Sequence, residues 1–358
     1  MQTGADLYMR RCLQLAQLGK GHVAPNPMVG AVLVHNGRIL AEGYHARYGG
    51  LHAEAACLNA VSEADRHLIP QSTLYVSLEP CSHHGKQPPC AARIVREEVG
   101  RVVVCNNDPF DAVAGRGYQL LQLAGIPVEK GVLEAEGRWL NRRFFTFWEQ
   151  KRPYIILKWA QTSDGFIAPS DKTRTMISGP LAQSLVHRWR TEEAAILVGK
   201  ATALADDPQL TARQWPGNQP LRLVLDSALT LPKSLKIFNT DAETWHVNTK
   251  EDAQLSNHRR VKIPAGDDAL TGLMDVLFKE GKQSLIVEGG AAVLRSFIGC
   301  GLWDEMRVFQ SDTCFGQGVA APQVLGAKKA FTTHIGLDRL SLYLPRKSGV
   351  EVPAGAFL

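Results

Sequence analysis

The sequence predicts two α/β units in tandem, on three observations. At 358 residues the chain is too long for one ordinary core of roughly 150 residues. Strand-like and helix-like runs alternate twice along it, the pattern of layered α/β domains. Between the two alternations lies a stretch with no clean period, Trp139 to Trp148, which mixes aromatics with arginine. The expected units are 1–148 and 149–358.

The first element is a helix, Asp6–Leu18, with Leu7, Leu13, Leu15 and Leu18 as its apolar residues and Gly19 to end it. A hairpin follows, Val29–Val34 and Arg38–Gly43, because Asn36-Gly37 between apolar runs is a strong turn signal. Next come a helix, Ala53–Ala64, and an apolar strand, Thr73–Leu78. A loop with two cysteines leads to a helix at Ala91–Glu98, a strand at Arg101–Cys105, a helix at Tyr118–Ala124 and a strand near Ile126–Val128. Trp139–Trp148 reads as a connecting helix packed between domains. The second alternation runs through strand Tyr154–Lys158, helix Pro180–Glu193, strands Ala195–Val198 and Leu221–Asp226, helix Ala269–Glu280, strand Ser284–Val287 and a helix from Ala291. Lys347 to Leu358 shows no strong period and is left unassigned.

Composition excludes several classes. Apolar residues are 45% and charged residues 21%, as in globular proteins, so a disordered chain or a rod is excluded. No apolar run approaches the ~20 residues of a membrane span. Met1–Asp6 lacks a basic-then-apolar start, so no signal peptide is expected. The net charge of +5 suits an anionic small substrate and makes no case for nucleic acid. Seven cysteines, an odd count, read as reduced, and a cytoplasmic location is expected.

Two of those cysteines stand apart. Leu51-His52-Ala53-Glu54 is followed by Glu79-Pro80-Cys81 and, after eight residues, by Cys90. One imidazole and two thiolates suit zinc, and three protein ligands leave a fourth position for water, as in a catalytic site. Glu54, two residues past His52, is placed to shuttle protons. His-x-Glu with Pro-Cys and a second Cys is the pattern of zinc deaminases of amino-heterocycles. Many of those space the cysteines as Cys-x-x-Cys; here the loop is longer. Three other readings of these residues are a core histidine at His52, a Cys81–Cys90 disulfide, and a structural zinc with His83 or His84 as fourth ligand.

With these residues in view, the chain resembles the bifunctional riboflavin-biosynthesis deaminase–reductases over nearly its whole length. Pro25-Asn26-Pro27-Met28-Val29-Gly30, His52-Ala53-Glu54, the long loop Glu79–Cys90, and Asp108-Pro109 through Val113–Gly117 carry the first half of the resemblance. It implies a cytidine-deaminase-like three-layer domain that deaminates a phosphoribosylamino-diaminopyrimidinone, with Asn26 on the substrate and Lys86 on its phosphate. From the residues alone, Asn26 is a turn residue and Lys86 a loop lysine.

The second half has no Gly-x-Gly-x-x-Gly. Its best anion cradle is Val287-Glu288-Gly289-Gly290, where a buried strand ends in two glycines and a helix begins. That turn, with Leu157–Ala160, Ser163–Gly165, Ile177–Pro180, Gly199–Arg213 and Leu225–Ser227, resembles the same family's dihydrofolate-reductase-like domain, which uses NADPH. The resemblance implies a cofactor site of Ala160, Met176, Thr202, Asp206, Ser227 and Gly290, Ala291, Ala292, Val293, Leu294, Arg295 and Ser296. It implies a substrate site of Lys158, Arg174, Arg190, Leu210, Arg213 and Glu288, and assembly of a homo-oligomer through this domain. From the residues alone, Arg190 and Arg213 are surface charges and Asp206-Asp207-Pro208 a turn, whereas Lys158 in an apolar strand needs a partner. Met176 departs from the family, which has an aromatic there.

The expected activity is therefore bifunctional: zinc-dependent deamination, then NADPH-dependent reduction of the ribosyl group to ribityl. The alternatives are a single deaminase with an appended binding domain, and a zinc-stabilised binding protein.

Overall fold

A computed structural model describes residues 4–82, 87–110, 114–171, 173, 175–346 and 352–353. The chain divides into two compact units that part between Gln150 and Lys151, with Val352 and Pro353 falling in the first.

The first unit runs α1 (Gly4–Gln17), β1 (Gly30–His35), β2 (Arg38–Tyr44), α2 (Ala53–Asn59), β3 (Thr73–Leu78), α3 (Cys90–Arg96), β4 (Arg101–Asn106), α4 (Arg116–Leu123), β5 (Val128–Lys130), α5 (Glu134–Leu140) and α6 (Arg142–Gln150). Its sheet has the order β2-β1-β3-β4-β5. β1 is antiparallel to β2 and β3, and β3, β4 and β5 are parallel. Alternation along each strand makes the three layers. Val32, Val34, Tyr75, Val103 and Cys105 pack on Met9, Cys12 and Leu13 of α1. Their neighbours Leu33, Leu74, Val76, Val102 and Val104 pack on Leu58 of α2, Ile94 of α3 and Leu121 of α4.

The aromatic stretch departs from expectation. It is two helices, α5 and α6, parted at Asn141. The Asn141 side chain accepts the Met28 N–H and donates to the Met28 carbonyl, both at 2.8 Å. A side chain so occupied with distant backbone marks the break. Phe144 and Phe145 of α6 pack on Leu78, so the segment belongs to the first unit's own core.

The second unit runs β6 (Tyr154–Gln161), β7 (Phe166–Pro169), α7 (Pro180–Glu192), β8 (Ala195–Gly199), α8 (Lys200–Asp206), β9 (Leu221–Leu225), β10 (Thr244–Asn248), β11 (Ala253–Gln254), β12 (Arg259–Lys262), α9 (Ala269–Lys279), β13 (Ser284–Gly289), α10 (Ala291–Gly299), β14 (Glu305–Gln310), β15 (Gly318–Ala320), β16 (Ala327–Ile335) and β17 (Asp338–Pro345). Ten strands form one sheet, β11-β12-β10-β9-β8-β13-β6-β14-β17-β16, and β7 pairs with β15. The central strands are parallel and β17 and β16 antiparallel.

Several of these strands carry no clear sequence signal. In β14, Glu305 and Arg307 are buried, joined by an Arg307 Nε–H to Glu305 Oε1 bond of 2.5 Å. Charges that satisfy each other inside a core look like surface residues in a sequence. Among the described residues, no helix is long and apolar enough to cross a membrane.

Candidate functional site

The first site forms where three element ends meet. His52 is the N-cap of α2, Cys81 lies past the end of β3, and Cys90 opens α3. His52 Nδ1 is 3.4 Å from Cys81 Sγ and 3.5 Å from Cys90 Sγ, and all three ligand atoms lie within 4.8 Å of one another. A tetrahedral zinc with ordinary Zn–N and Zn–S bonds holds such atoms about 3.6 Å apart, so the donor set fits that ion. Of the two thiols, Cys81 is the one pulled down, first by the Cys90 thiol, which suits a thiolate ligand. The Cys90 N–H also donates to Cys81 Sγ at 3.4 Å.

Glu54 sits in the first turn of α2 and is 4% exposed. Burial pushes its carboxyl up to about 7, with the Cys81 charge adding to the shift. His52, Glu54 and Cys81 line a cavity of about 360 Å³ together with Asn26, His45, Glu79, Asp108, Phe110, Phe144 and Trp148. Phe110 lies on Trp148 with ring centroids 4.3 Å apart, so one wall is aromatic.

Sequence reasoning placed Asn26 here but missed what holds it. His45 Nδ1 lies 2.8 Å from the Leu51 carbonyl, which requires that nitrogen to carry the proton. Burial lowers the His45 pKa, so Nε2 is a bare acceptor, and the Asn26 amide donates to it at 3.1 Å. Nothing in the spacing distinguishes His45 from the other histidines. Lys86 lies outside the described residues.

If these ligands hold zinc, Cys90→Ala should lower zinc affinity by more than the ~10–100-fold that loss of an outer-shell partner costs. Metal analysis of the purified variant after dialysis measures it.

The second site follows from strand parity. On β6 and β13, Ile155, Leu157, Leu285 and Val287 point into the core with Leu273 and Leu277 of α9 and Leu294 of α10. Lys158 and Glu288 therefore point to the opposite face. Arg190 of α7 meets Glu288 there in a bidentate pair, Nε–H to Oε1 at 3.1 Å and Nη2–H to Oε2 at 2.8 Å. Lys158 Nζ is 3.7 Å from Glu288 Oε2. Burial alone would raise the Glu288 carboxyl, but Arg190 and then Lys158 prevail and hold it at about 2. Arg190 also donates to the Thr211 carbonyl, and Arg213 donates to Thr211 Oγ1. The Arg213 N–H donates to His187 Nδ1 at 3.0 Å. Leu210, 3% exposed, has φ of 57°, a conformation that is strained for a non-glycine residue and is found at ligand sites. The structure thus unites Lys158, Arg190, Arg213 and Glu288, with Leu210 next to Thr211 in the chain. Arg174 lies outside the described residues.

A cradle fit for a dinucleotide phosphate lies at the end of β13. Gly290 has φ of 59°, and a Cβ there would stand 2.9 Å from Thr202 Oγ1. A Cβ on Gly199 would meet Val293 at 2.6 Å. Bare backbone beside the start of α10 is what a pyrophosphate needs. Ala160 is the last residue but one of β6, Asp206 ends α8 and Ser227 follows β9. Along α10, Leu294 packs into the core, the Ser296 hydroxyl bonds the Ala292 carbonyl, and Arg295 donates to the Ala320 carbonyl. Met176 is 59% exposed. Gly290→Ala should weaken NADPH binding at least about tenfold, because at φ 59° and ψ 139° a residue other than glycine is strained by roughly 1–3 kcal/mol before the contact with Thr202. Fluorescence titration with NADPH checks it.

Residues 3–106 match the model for the cytidine and deoxycytidylate deaminase zinc-binding region, and residues 153–343 match the RibD C-terminal domain. The chain is 40% identical over 319 residues to the riboflavin biosynthesis protein RibD of Aquifex aeolicus, covering 87% of this chain and 88% of that one. The chain belongs to the RibD family. The Escherichia coli RibD is 37% identical over 354 residues, 94% of this chain and 93% of that one. The crystal structure of the diaminohydroxyphosphoribosylaminopyrimidine deaminase/5-amino-6-(5-phosphoribosylamino)uracil reductase from Thermotoga maritima matches with a TM-score of 0.87 at 33% identity, over 96% of this chain and 99% of that one. The chain carries both halves of a RibD enzyme of riboflavin biosynthesis, a zinc-dependent deaminase followed by an NADPH-dependent reductase. The match of the second unit sets aside an appended non-catalytic binding domain.

Proposed function

We propose that the chain deaminates 2,5-diamino-6-(phosphoribosylamino)pyrimidin-4-one and then reduces the ribosyl side chain of the product to ribityl. The observation that carries this reading is the meeting of His52, Cys81 and Cys90 beside a cavity that His52, Cys81 and the buried Glu54 line. In this proposal His52, Cys81 and Cys90 hold zinc, Glu54 transfers protons, and Asn26 and Lys86 meet the substrate. Zinc held there supplies a water acidified toward neutrality. Glu54 takes a proton from the attacking water and hands it on to the leaving amine, so ammonia departs and the ring carbon gains oxygen. The aromatic wall of Phe110 and Trp148 keeps the cavity dry around the ring.

In the second unit, Ala160, Met176, Thr202, Asp206, Ser227 and Gly290–Ser296 hold NADPH. Lys158, Arg174, Arg190, Leu210, Arg213 and Glu288 line the substrate site, with Lys158 and Glu288 beside the ribose. NADPH supplies a hydride to the anomeric carbon. The bond from that carbon to the ribose ring oxygen breaks, and the oxygen takes a proton from the polar cluster around Lys158. Arg213 suits the phosphate because a guanidinium binds two oxygens at once, while Arg190 spends its fork on Glu288 and adds positive charge beside it. A cytoplasmic homo-oligomer assembled through the second unit belongs to the same proposal.

Mass spectrometry of the diaminopyrimidinone after incubation with the protein tests it. Exchange of an amino group for oxygen without NADPH, then a gain of two hydrogens only with NADPH, supports both steps. No change in the presence of zinc would return the first site to a structural role.

A further inference from the structure

The sheet order lays out the cofactor. β9, β8, β13 and β6 are neighbours and parallel, so their carboxyl ends share one edge, where α/β folds bind nucleotides. Lys158 and Glu288 put the substrate over β6 and β13, and the Gly289-Gly290 turn ends β13. A hydride donor must set its nicotinamide at the substrate. Its adenosine half then runs the other way, over the ends of β8 and β9. From β13 to β9 is two strand spacings, about 10 Å, within the reach of an extended dinucleotide.

Lys200 follows β8 directly, and Ser227 and Thr230 follow β9. The Lys200 ammonium bonds Thr230 Oγ1 and lies 3.7 Å from Asp226 Oδ1, with its side chain 42% exposed. Asp226 is 1% exposed, so the Lys200 ammonium rather than the carboxylate meets an anion arriving there. Oδ2 accepts the Thr230 N–H at 2.6 Å and the Leu231 N–H at 2.8 Å and faces His246 Nε2 of β10 at 3.1 Å, while Oδ1 lies 3.3 Å from the Thr230 hydroxyl. The buried acid fastens the turn, and the ammonium stands above it with a hydroxyl at its side. An ammonium beside a hydroxyl on a half-exposed edge is a site for a phosphate monoester.

NADPH differs from NADH only by such a phosphate, on the adenosine ribose. We propose that Lys200, with Thr230, binds the 2′-phosphate and so selects NADPH over NADH. This deepens the reading of the second unit as an NADPH reductase and rests on it.

Calorimetry on the full chain with 2′,5′-ADP and with 5′-AMP tests the proposal without turnover. The wild type is expected to favour 2′,5′-ADP by about ten- to a hundredfold, the worth of a charge-assisted contact, and less in high salt. Lys200→Ala is expected to erase that preference while 5′-AMP affinity holds, and Lys200→Arg to retain it. Thermal unfolding of both variants at the wild-type midpoint shows that the fold is kept. A preference that survives Lys200→Ala overturns the proposal and leaves the cofactor reading standing. Equal weakening of both ligands also overturns it, since Lys200 then shapes the site as a whole. A wild type that binds neither 2′,5′-ADP nor NADPH overturns the cofactor reading itself.

Discussion

Glu54→Gln is expected to slow deamination about 10²–10⁴-fold, the share that a positioned general acid–base supplies. Zinc content and reduction of the deaminated intermediate should stay at wild-type values. The side chain is 4% exposed in the first turn of α2, so an amide of the same shape fits with little repacking. What it loses is the ability to take a proton and release it again. Steady-state deamination, metal analysis and NADPH oxidation with the deaminated intermediate separate the possibilities. Loss of zinc along with activity would mean that Glu54 holds the site together instead.

Glu288→Ala is expected to cost the second unit about 3–5 kcal/mol, because it leaves Lys158 and Arg190 buried without their counter-charge. For a unit of this size that lowers the melting temperature by roughly 6–20 °C. Reduction should fail with it, while deamination by the first unit continues. The acid limb of stability carries the same signature. Glu288 is held at about 2 against an ordinary 4.5, so its share of stability is complete above 4.5 and is lost as the pH falls through about 2. His187 and His258 behave differently. Burial holds both down to about 4. Below 6.5 the unfolded chain binds protons that the native unit refuses, so stability drops from 6.5 and levels off below about 4. Urea unfolding of the second unit across pH 2–7 reads both limbs. Glu288→Ala should flatten only the lower one, and an unchanged lower limb would assign it to another carboxylate.

The zinc-binding pattern was legible because its residue types are distinctive, although His52 stands 29 residues from Cys81 and 38 from Cys90. His52, Glu54, Cys81 and Cys90 are few residue types, and each sits at the end of an element that the apolar pattern marks. The long loop between the cysteines did not hide them, since β3 ends just before Cys81 and α3 begins at Cys90. The second site was less legible. Arg190 reads as surface charge from its helix, and only strand parity and the packing of α7 turn it onto Glu288. β14 was missed for a related reason, as its buried Glu305 and Arg307 mimic an exposed edge. The Trp139–Trp148 stretch was legible as helix but not as two helices, nor did its aromatics show that Phe144 and Trp148 line the first cavity.

The sequence by itself determined the order of the two units, the metal-binding residue types and the glycine turn that opens α10. These are carried by short motifs of distinctive residue types, which are read directly even where the motifs stand far apart. Only the tertiary structure decided that His45 orients Asn26, that Glu288 holds Lys158 and Arg190 together, and that Asp226 lies buried beneath Lys200. Most of those contacts join residues far apart in the chain, and each depends on which face of a strand or helix a side chain takes. That choice is made by the burial of the whole sheet, to which no single motif has access.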